Sequence, residues 1–197
     1  MADRASETLQ PESPLAADWS GSTPATLQGS GLTIRERPNR GKLVLVTDGS
    51  DTALRNAVAV LGKPLPDGPD EKTGIDPCCI WRAPGRWLIV HDRGEVLATG
   101  LNAAMNQGIG AAIDVSDGWV SISLEGRSVR NLFRRGCDMD LHPRGFAPGR
   151  FAETVLAGFE IILHARPEGQ DYDLLVERAL AVGLWVWLKE QTADFSD

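Results

Sequence analysis

The chain has 197 residues, 42% hydrophobic and 24% charged, with a net charge of −7. This is chain enough for a real core, in the composition range of soluble globular proteins. Its acidity argues against nucleic acid or an anionic membrane as partner, and no run of about 18 apolar residues is present to span a bilayer.

Residues 1–40 are rich in Pro, Ser, Thr and Gly, as in SPLAADWSGSTPATLQGSG. Such a stretch buries little, so an extended or mobile arm is expected there. Its opening, MADRASETLQPESP, lacks the apolar core of a signal peptide, and a cytoplasmic protein is expected. Trp19 stands out in this arm. It either anchors on another protein's surface or folds back on its own domain.

From Lys42 the pattern becomes regular, and residues 41–197 read as one compact domain. KLVLVT is a strand, followed by a helix capped by Ser50 or Asp51, with Leu54, Ala57, Val58 and Leu61 on one face and Gly62 at its end. CCIWRAPGRWLIV reads as a hairpin turning at Pro84-Gly85. EVLATGLNAAMNQG is a helix carrying Leu97, Leu101, Ala104 and Met105, stopped by Gly108, and AAIDVS is a closing strand. The order β-α-β-β-α-β is that of a ferredoxin-like unit over about 41–116. Over 117–192 the pattern nearly repeats. WVSISL alternates as a strand, GRSVRNLFRRG is a short helix with Val129, Leu132 and Phe133 inward, and three strand-like runs lead to an apolar helix, ALAVGLWVWLKEQ. The fold class expected is α+β, two tandem ferredoxin-like halves.

Chemistry-bearing motifs are scarce. His91, His142 and His164 have no ligand spacing, and Cys78, Cys79 and Cys137 are too few for a thiolate zinc site. In a strand, Cys78 and Cys79 point to opposite faces, so buried thiols are expected. Cys137 follows Arg134 and Arg135, which favour a thiolate, but Asp138 and Asp140 oppose them. There is no G-x-S-x-G elbow, no phosphate loop and no dinucleotide fingerprint. Hence no catalytic, cofactor or metal residue is assigned.

Charge placement is the strongest signal. Residues 126–150 hold six arginines (Arg127, Arg130, Arg134, Arg135, Arg144, Arg150) against two aspartates, so this segment is +4 and the remainder −11. Arg127, Arg130 and Arg134 fall on one helical stripe opposite Val129, Leu132 and Phe133. Arginine makes planar bidentate contacts and suits interfaces. CDMDLHPRGFAPGR (137–150) then reads as a stiff docking loop, with Asp138, Asp140 and His142 fixing it. The expected subunit interface comprises Arg127, Arg130, Arg134, Arg144, Phe146, Arg150 and Trp19.

The segment IDVSDGWVSISLEGRSVRNLFRRGCDMDLHPRGFAPGRFAETVLA resembles the gamma subunit of heterotetrameric sarcosine oxidase. The shared pattern is D-V-S-D-G, L-x-G-x-x-A-R, then G-C-x-x-D-L-H-P-x-x-F-x-P-G-x-x-x-x-T. It is matched from Asp114 to Thr154 with Val129 in the alanine position. WRAPGRWLIV is similar to that family's W-L-G-P-D-E-W-L-L through Pro84, Trp87 and Leu88, and Trp185 and Trp187 fit its Trp-rich final helix. The resemblance covers about residues 78–190.

It implies a non-catalytic chain whose fold resembles the folate-binding domain of aminomethyltransferases. The implied complex oxidises the N-methyl group of sarcosine, giving glycine, hydrogen peroxide and a one-carbon unit for tetrahydrofolate. FAD, FMN, NAD, zinc and tetrahydrofolate are implied on the other subunits, none on this one. The alpha subunit is the main partner, with beta and delta also in the complex. Two alternatives stand beside it. One is a gamma-like subunit of a related N-methylamino-acid dehydrogenase. The other is a free-standing folate-binding one-carbon protein, with Asp114 as the pterin's carboxylate.

Overall fold

The computed structural model describes residues 12–69, 71–92, 95–105, 108–167 and 170–195. Its elements begin with a hairpin, β1 (Thr26–Gly29) and β2 (Leu32–Glu36), then β3 (Gly41–Thr47) and α1 (Asp51–Leu61). A two-residue strand β4 (Lys72–Thr73) precedes β5 (Cys78–Ala83) and β6 (Arg86–His91), followed by α2 (Glu95–Ala104) and β7 (Gly110–Asp114). The rest is β8 (Trp119–Glu125), α3 (Val129–Phe133), β9 (Phe151–Leu156), β10 (Phe159–Ala165), β11 (Tyr172–Glu177) and α4 (Arg178–Ala193).

The first sheet has the antiparallel order β4-β5-β6-β3-β7 and is contiguous in sequence. Local chemistry sets its elements. The Ser50 hydroxyl accepts from the Ala53 N–H at 3.2 Å and caps α1, while Gly62, at φ 73°, ends it. Gly85, at φ 70°, turns the β5–β6 hairpin so close to β3 that a Cβ there would lie 2.8 Å from the Thr47 carbonyl. The face of α1 is rotated slightly from expectation. Ala53, Ala57 and Leu61 are buried, Leu54 is half-buried and Val58 is 36% exposed. The outer edge of β7 is covered by Asn102 of α2. Its side chain donates to the Ala112 carbonyl and accepts from the Ala112 N–H at 2.9 and 2.8 Å, taking a strand's place.

The second sheet has the order β1-β2-β8-β11-β10-β9, and here the sequence expectation needs correcting. Residues 26–36 are not a loose arm outside residues 41–197. They form a hairpin that pairs β2 with β8, Ile34 opposite Leu124. The second half is therefore not confined to 117–192. The physical reason is the alternation inside LTIRE: Leu32 and Ile34 are 2% and 0% exposed in the core beneath α4, with Leu15 and Ala25 beside them. The end of α4 closes over the hairpin, where the Ser30 N–H donates to the Phe195 carbonyl.

Side-chain alternation across the two sheets gives four layers: helices, sheet, sheet, helices. Trp87 and Ile89 face α1 and α2, whereas Leu88 and Val90 face the other sheet. Leu174 and Val176 face α3 and α4, whereas Leu175 meets Leu88 and Val90 in the layer between the sheets. Cys78 and Cys79 obey the same rule and are buried free thiols on opposite faces of β5. Burial pushes the Cys79 thiol up to about 12. Strands covered on both faces explain the nearly unbroken apolar runs CCIW and WLIV.

Candidate functional site

The segment from Gly126 to Arg150 packs, through Val129, Leu132, Phe133 and Phe146, into the core that the second sheet shares with α4. Its helix, α3, is short, so Arg127 lies before it and Arg134 caps its end. Val129, Leu132 and Phe133 are fully buried, as their spacing requires. Phe133 meets the ring of Tyr172 edge-on at 5.3 Å, and the Tyr172 hydroxyl accepts from Arg130 Nε at 3.1 Å. Arg135 reaches the other way. It donates to Asp194 at 2.6 Å and Gln191 at 3.1 Å, and lies over the Phe195 ring at 4.7 Å, tying α3 to the end of α4.

The loop after Cys137 is held by its own polar groups. Asp140 Oδ1 accepts from the His142 N–H at 2.9 Å, and His142 Nδ1 accepts from the Arg144 N–H at 3.2 Å. The His142 carbonyl accepts from the N–H groups of Gly145 and Phe146, both at 2.8 Å. Phe146 itself departs from expectation. It is 6% exposed and packs in the core with Leu141 and Cys137, so it plugs the loop onto the domain and presents no aromatic to a partner. An aromatic between prolines and glycines has the same sequence signature in either role.

Trp19 also turns inward. It is half-buried against the core of the second sheet, and its indole N–H donates to Glu36 Oε2 at 2.6 Å. Of the seven residues expected at an interface, Arg127, Arg134, Arg144 and Arg150 remain exposed and Arg130 is half-buried. Arg130 and Arg134 border a concavity of about 400 Å³ whose far wall is Met139 to Pro143. The surviving site is a cationic, concave surface without an aromatic centre.

Two polar clusters were invisible in the sequence because they join distant segments. In the first, Asp173 on β11 accepts from Arg166 at 2.7 and 3.1 Å and pairs with Arg40 at 3.4 Å and His164 at 3.7 Å. Arg166 also pairs with Glu125 and Arg40 with Asp92. Although burial opposes it, these partners hold the Asp173 carboxyl well below the usual carboxylate range. In the second, Lys42 on β3 is 2% exposed and donates to the Trp119 carbonyl at 3.2 Å. Burial, with Arg40 adding to it, lowers the ammonium to about 8 despite Glu36, Asp114 and Asp117. Among the described residues no group of three or more His, Cys, Asp or Glu could hold a metal ion.

This four-layer α+β architecture is shared with known proteins. Aminomethyltransferase T of the glycine cleavage system from Bartonella henselae superposes with a TM-score of 0.57 at 11% identity, over 81% of this chain and 46% of that one, a likeness of fold. The model of the sarcosine oxidase, gamma subunit family matches residues 46–194, and the chain belongs to that family. Similar proteins include the gamma subunit of sarcosine oxidase from Corynebacterium sp. strain U-96, 27% identical over 167 residues, 84% of this chain and 81% of that one. The gamma subunit from Arthrobacter sp. is 32% identical over 118 residues, 59% of this chain and 58% of that one. A chain of heterotetrameric sarcosine oxidase from Corynebacterium sp. U-96, in complex with pyrrole 2-carboxylate, superposes with a TM-score of 0.81 at 26% identity. It covers 94% of this chain and 96% of that one.

Proposed function

We propose that this chain is the gamma subunit of a heterotetrameric sarcosine oxidase and serves it as a structural, non-catalytic component. The observation that carries the reading is the near-complete superposition on a chain of such an enzyme, 94% and 96% covered, together with family membership. In this reading the complex demethylates sarcosine oxidatively to glycine, hydrogen peroxide and a one-carbon unit passed to tetrahydrofolate. FAD, FMN, NAD, zinc and tetrahydrofolate belong to the other subunits. The alpha subunit is the main contact, with beta and delta in the same assembly, in the cytoplasm. No helix among the described residues is long and apolar enough to cross a membrane, which accords with that location.

Both halves fit a ferredoxin-like plan. In the first, β3-α1-β5-β6-α2-β7 gives the order β7-β3-β6-β5. In the second, β2 takes the place of the last strand beside β8, supplied from the start of the chain. Arg127, Arg134, Arg144 and Arg150, with Arg130 behind them, form the docking surface for a carboxylate-rich face of the partner.

The test is purification of the tagged chain from its native host, with an absorbance spectrum and oxygen uptake on whatever accompanies it. A yellow complex of larger subunits that consumes oxygen with sarcosine is expected. A colourless lone chain would overturn the reading, and micromolar tetrahydrofolate binding by that chain would favour a free-standing one-carbon protein.

A further inference from the structure

Between the two sheets, at the end where β10 gives way to Arg166, the apolar layer opens into a cavity of about 210 Å³. Its floor is apolar, formed by Ile80, Val90, Ile162 and Leu175. Ile75 stands at its rim 62% exposed, a large apolar side chain left in water beside an apolar space. Such a cavity has room for a compact body of roughly ten non-hydrogen atoms and is smaller than a typical drug-sized pocket.

The polar lining is unequally satisfied. Asp173 and Asp92 are both engaged, the first by Arg166 and Arg40, the second by Arg40. Arg37 also lines the cavity, half-buried, and its guanidinium makes no ion pair or hydrogen bond among the described residues. Arg40 and Arg166 are thus taken up by Asp92, Asp173 and, just outside the lining, Glu125, while the Arg37 guanidinium is left without a partner among the described residues. Ser121 of β8 lies on the same wall, 4% exposed, with a hydroxyl that has no hydrogen-bond partner. His164 has Nδ1 near Asp173, and its Nε2 is likewise buried and unpartnered. A buried hydroxyl left unsatisfied is destabilising unless something completes it.

We propose that this cavity binds a small monocarboxylate with a compact apolar body, the carboxylate meeting Arg37 and the Ser121 hydroxyl and the body lying on Ile80, Val90 and Ile162. Arg37 decides the class. Its guanidinium is the one of the three without a partner among the described residues, and its planar donors fit one carboxylate. Asp173 and Asp92 repel a second negative charge, which disfavours phosphates and dicarboxylates, while Arg40 and Arg166 repel a cation. This site lies apart from the arginines of α3 and its loop and uses only this chain's residues, so it stands or falls independently of the assembly proposed above.

The test is titration of the full-length chain with benzoate, benzamide and benzylamine, followed by amide NMR shifts and calorimetry. Benzoate is expected to bind at least tenfold more tightly than either neutral or cationic analogue and to shift the amides of Ser121, Ile162 and Leu175. Arg37→Ala is expected to weaken benzoate at least tenfold with an unchanged melting temperature, since its side chain holds nothing else. Arg37→Lys is expected to recover part of the loss. Equal binding of the three probes, unchanged affinity in Arg37→Ala, or shifts confined to residues 127–150 would overturn the proposal.

Discussion

The two sheets differ in how much of the chain each needs. The first is built from residues between Gly41 and Asp114 alone, and every one of its pairings lies within that stretch. The second runs from Trp119 to Glu177 but is completed by a strand from residues 32–36 and sealed by the last turn of α4. Composition alone marks the donor segment as loose. What orders it is two buried side chains, Leu32 and Ile34, on a strand with an edge to pair with.

That difference can be broken most directly at Ile34. Ile34→Asp places an unpaired charge in the core and is expected to cost about 5 kcal/mol. Hydrogen exchange should then quicken in β8 and β11 while β3 and β6 keep their protection; equal loss in both sheets would show that they are one cooperative unit. Next comes Phe146→Ala, expected to lower stability by about 3–4 kcal/mol, the cost of emptying a buried aromatic's space. A melting temperature within a degree of the parent would return Phe146 to the docking surface.

Asp173→Asn tests the charged end of the layer between the sheets and is expected to cost about 3 kcal/mol at neutral pH, because Arg40 and Arg166 lose their shared partner. The folded carboxyl titrates below its unfolded value. Its contribution is therefore complete above the ordinary aspartate range and fades as the pH falls through the folded value. The stability gap between parent and variant should narrow in acid, and a gap independent of pH would remove the ion cluster as its cause.

Lys42 acts in the same direction at the alkaline end, by relief of a cost: burial penalises its charged form. Its folded value of about 8 lies below the ordinary 10.5, so between those limits the unfolded chain holds more protons and folding gains as pH rises. Relative to Lys42→Met, the parent is expected to gain up to about 3 kcal/mol between pH 8 and 10.5 by chemical denaturation. A flat difference would mean that Lys42 titrates in the fold as it does in the unfolded chain. The smallest effect on folding belongs to the arginines. Arg144→Glu is expected to change stability by less than about 0.5 kcal/mol while weakening capture of the larger subunits severalfold. Unaltered capture would move the docking surface elsewhere.

Legibility in the sequence followed distance along the chain. Ser50, Gly62 and Gly85 announced their turns and caps, because each acts on residues within a few positions. The hydrogen bonds of Asp140 and His142 were equally local. The orientation of Phe146 was not, since burial depends on Leu141 and Cys137 being folded beneath it. Trp19 fits two roles in the sequence, and the contact of its indole with Glu36, a residue 17 positions away, decides between them. The Asp173 cluster, drawn from residues 40, 92, 125, 164 and 166, has no spacing by which it could be found.

The hairpin of β1 and β2 has a consequence for synthesis. It precedes the first sheet in the chain, yet its partner β8 follows only after that whole sheet has emerged, and the helix that covers it comes later still. At usual elongation rates the hairpin waits for roughly 5–20 seconds with Leu32 and Ile34 in water. The first sheet has that interval to fold undisturbed. Ribosome-bound chains arrested after Asp114 are expected to protect β3 and β6 from protease while leaving the hairpin open to cleavage. A strand made before the first sheet thus has to wait for a partner made after it.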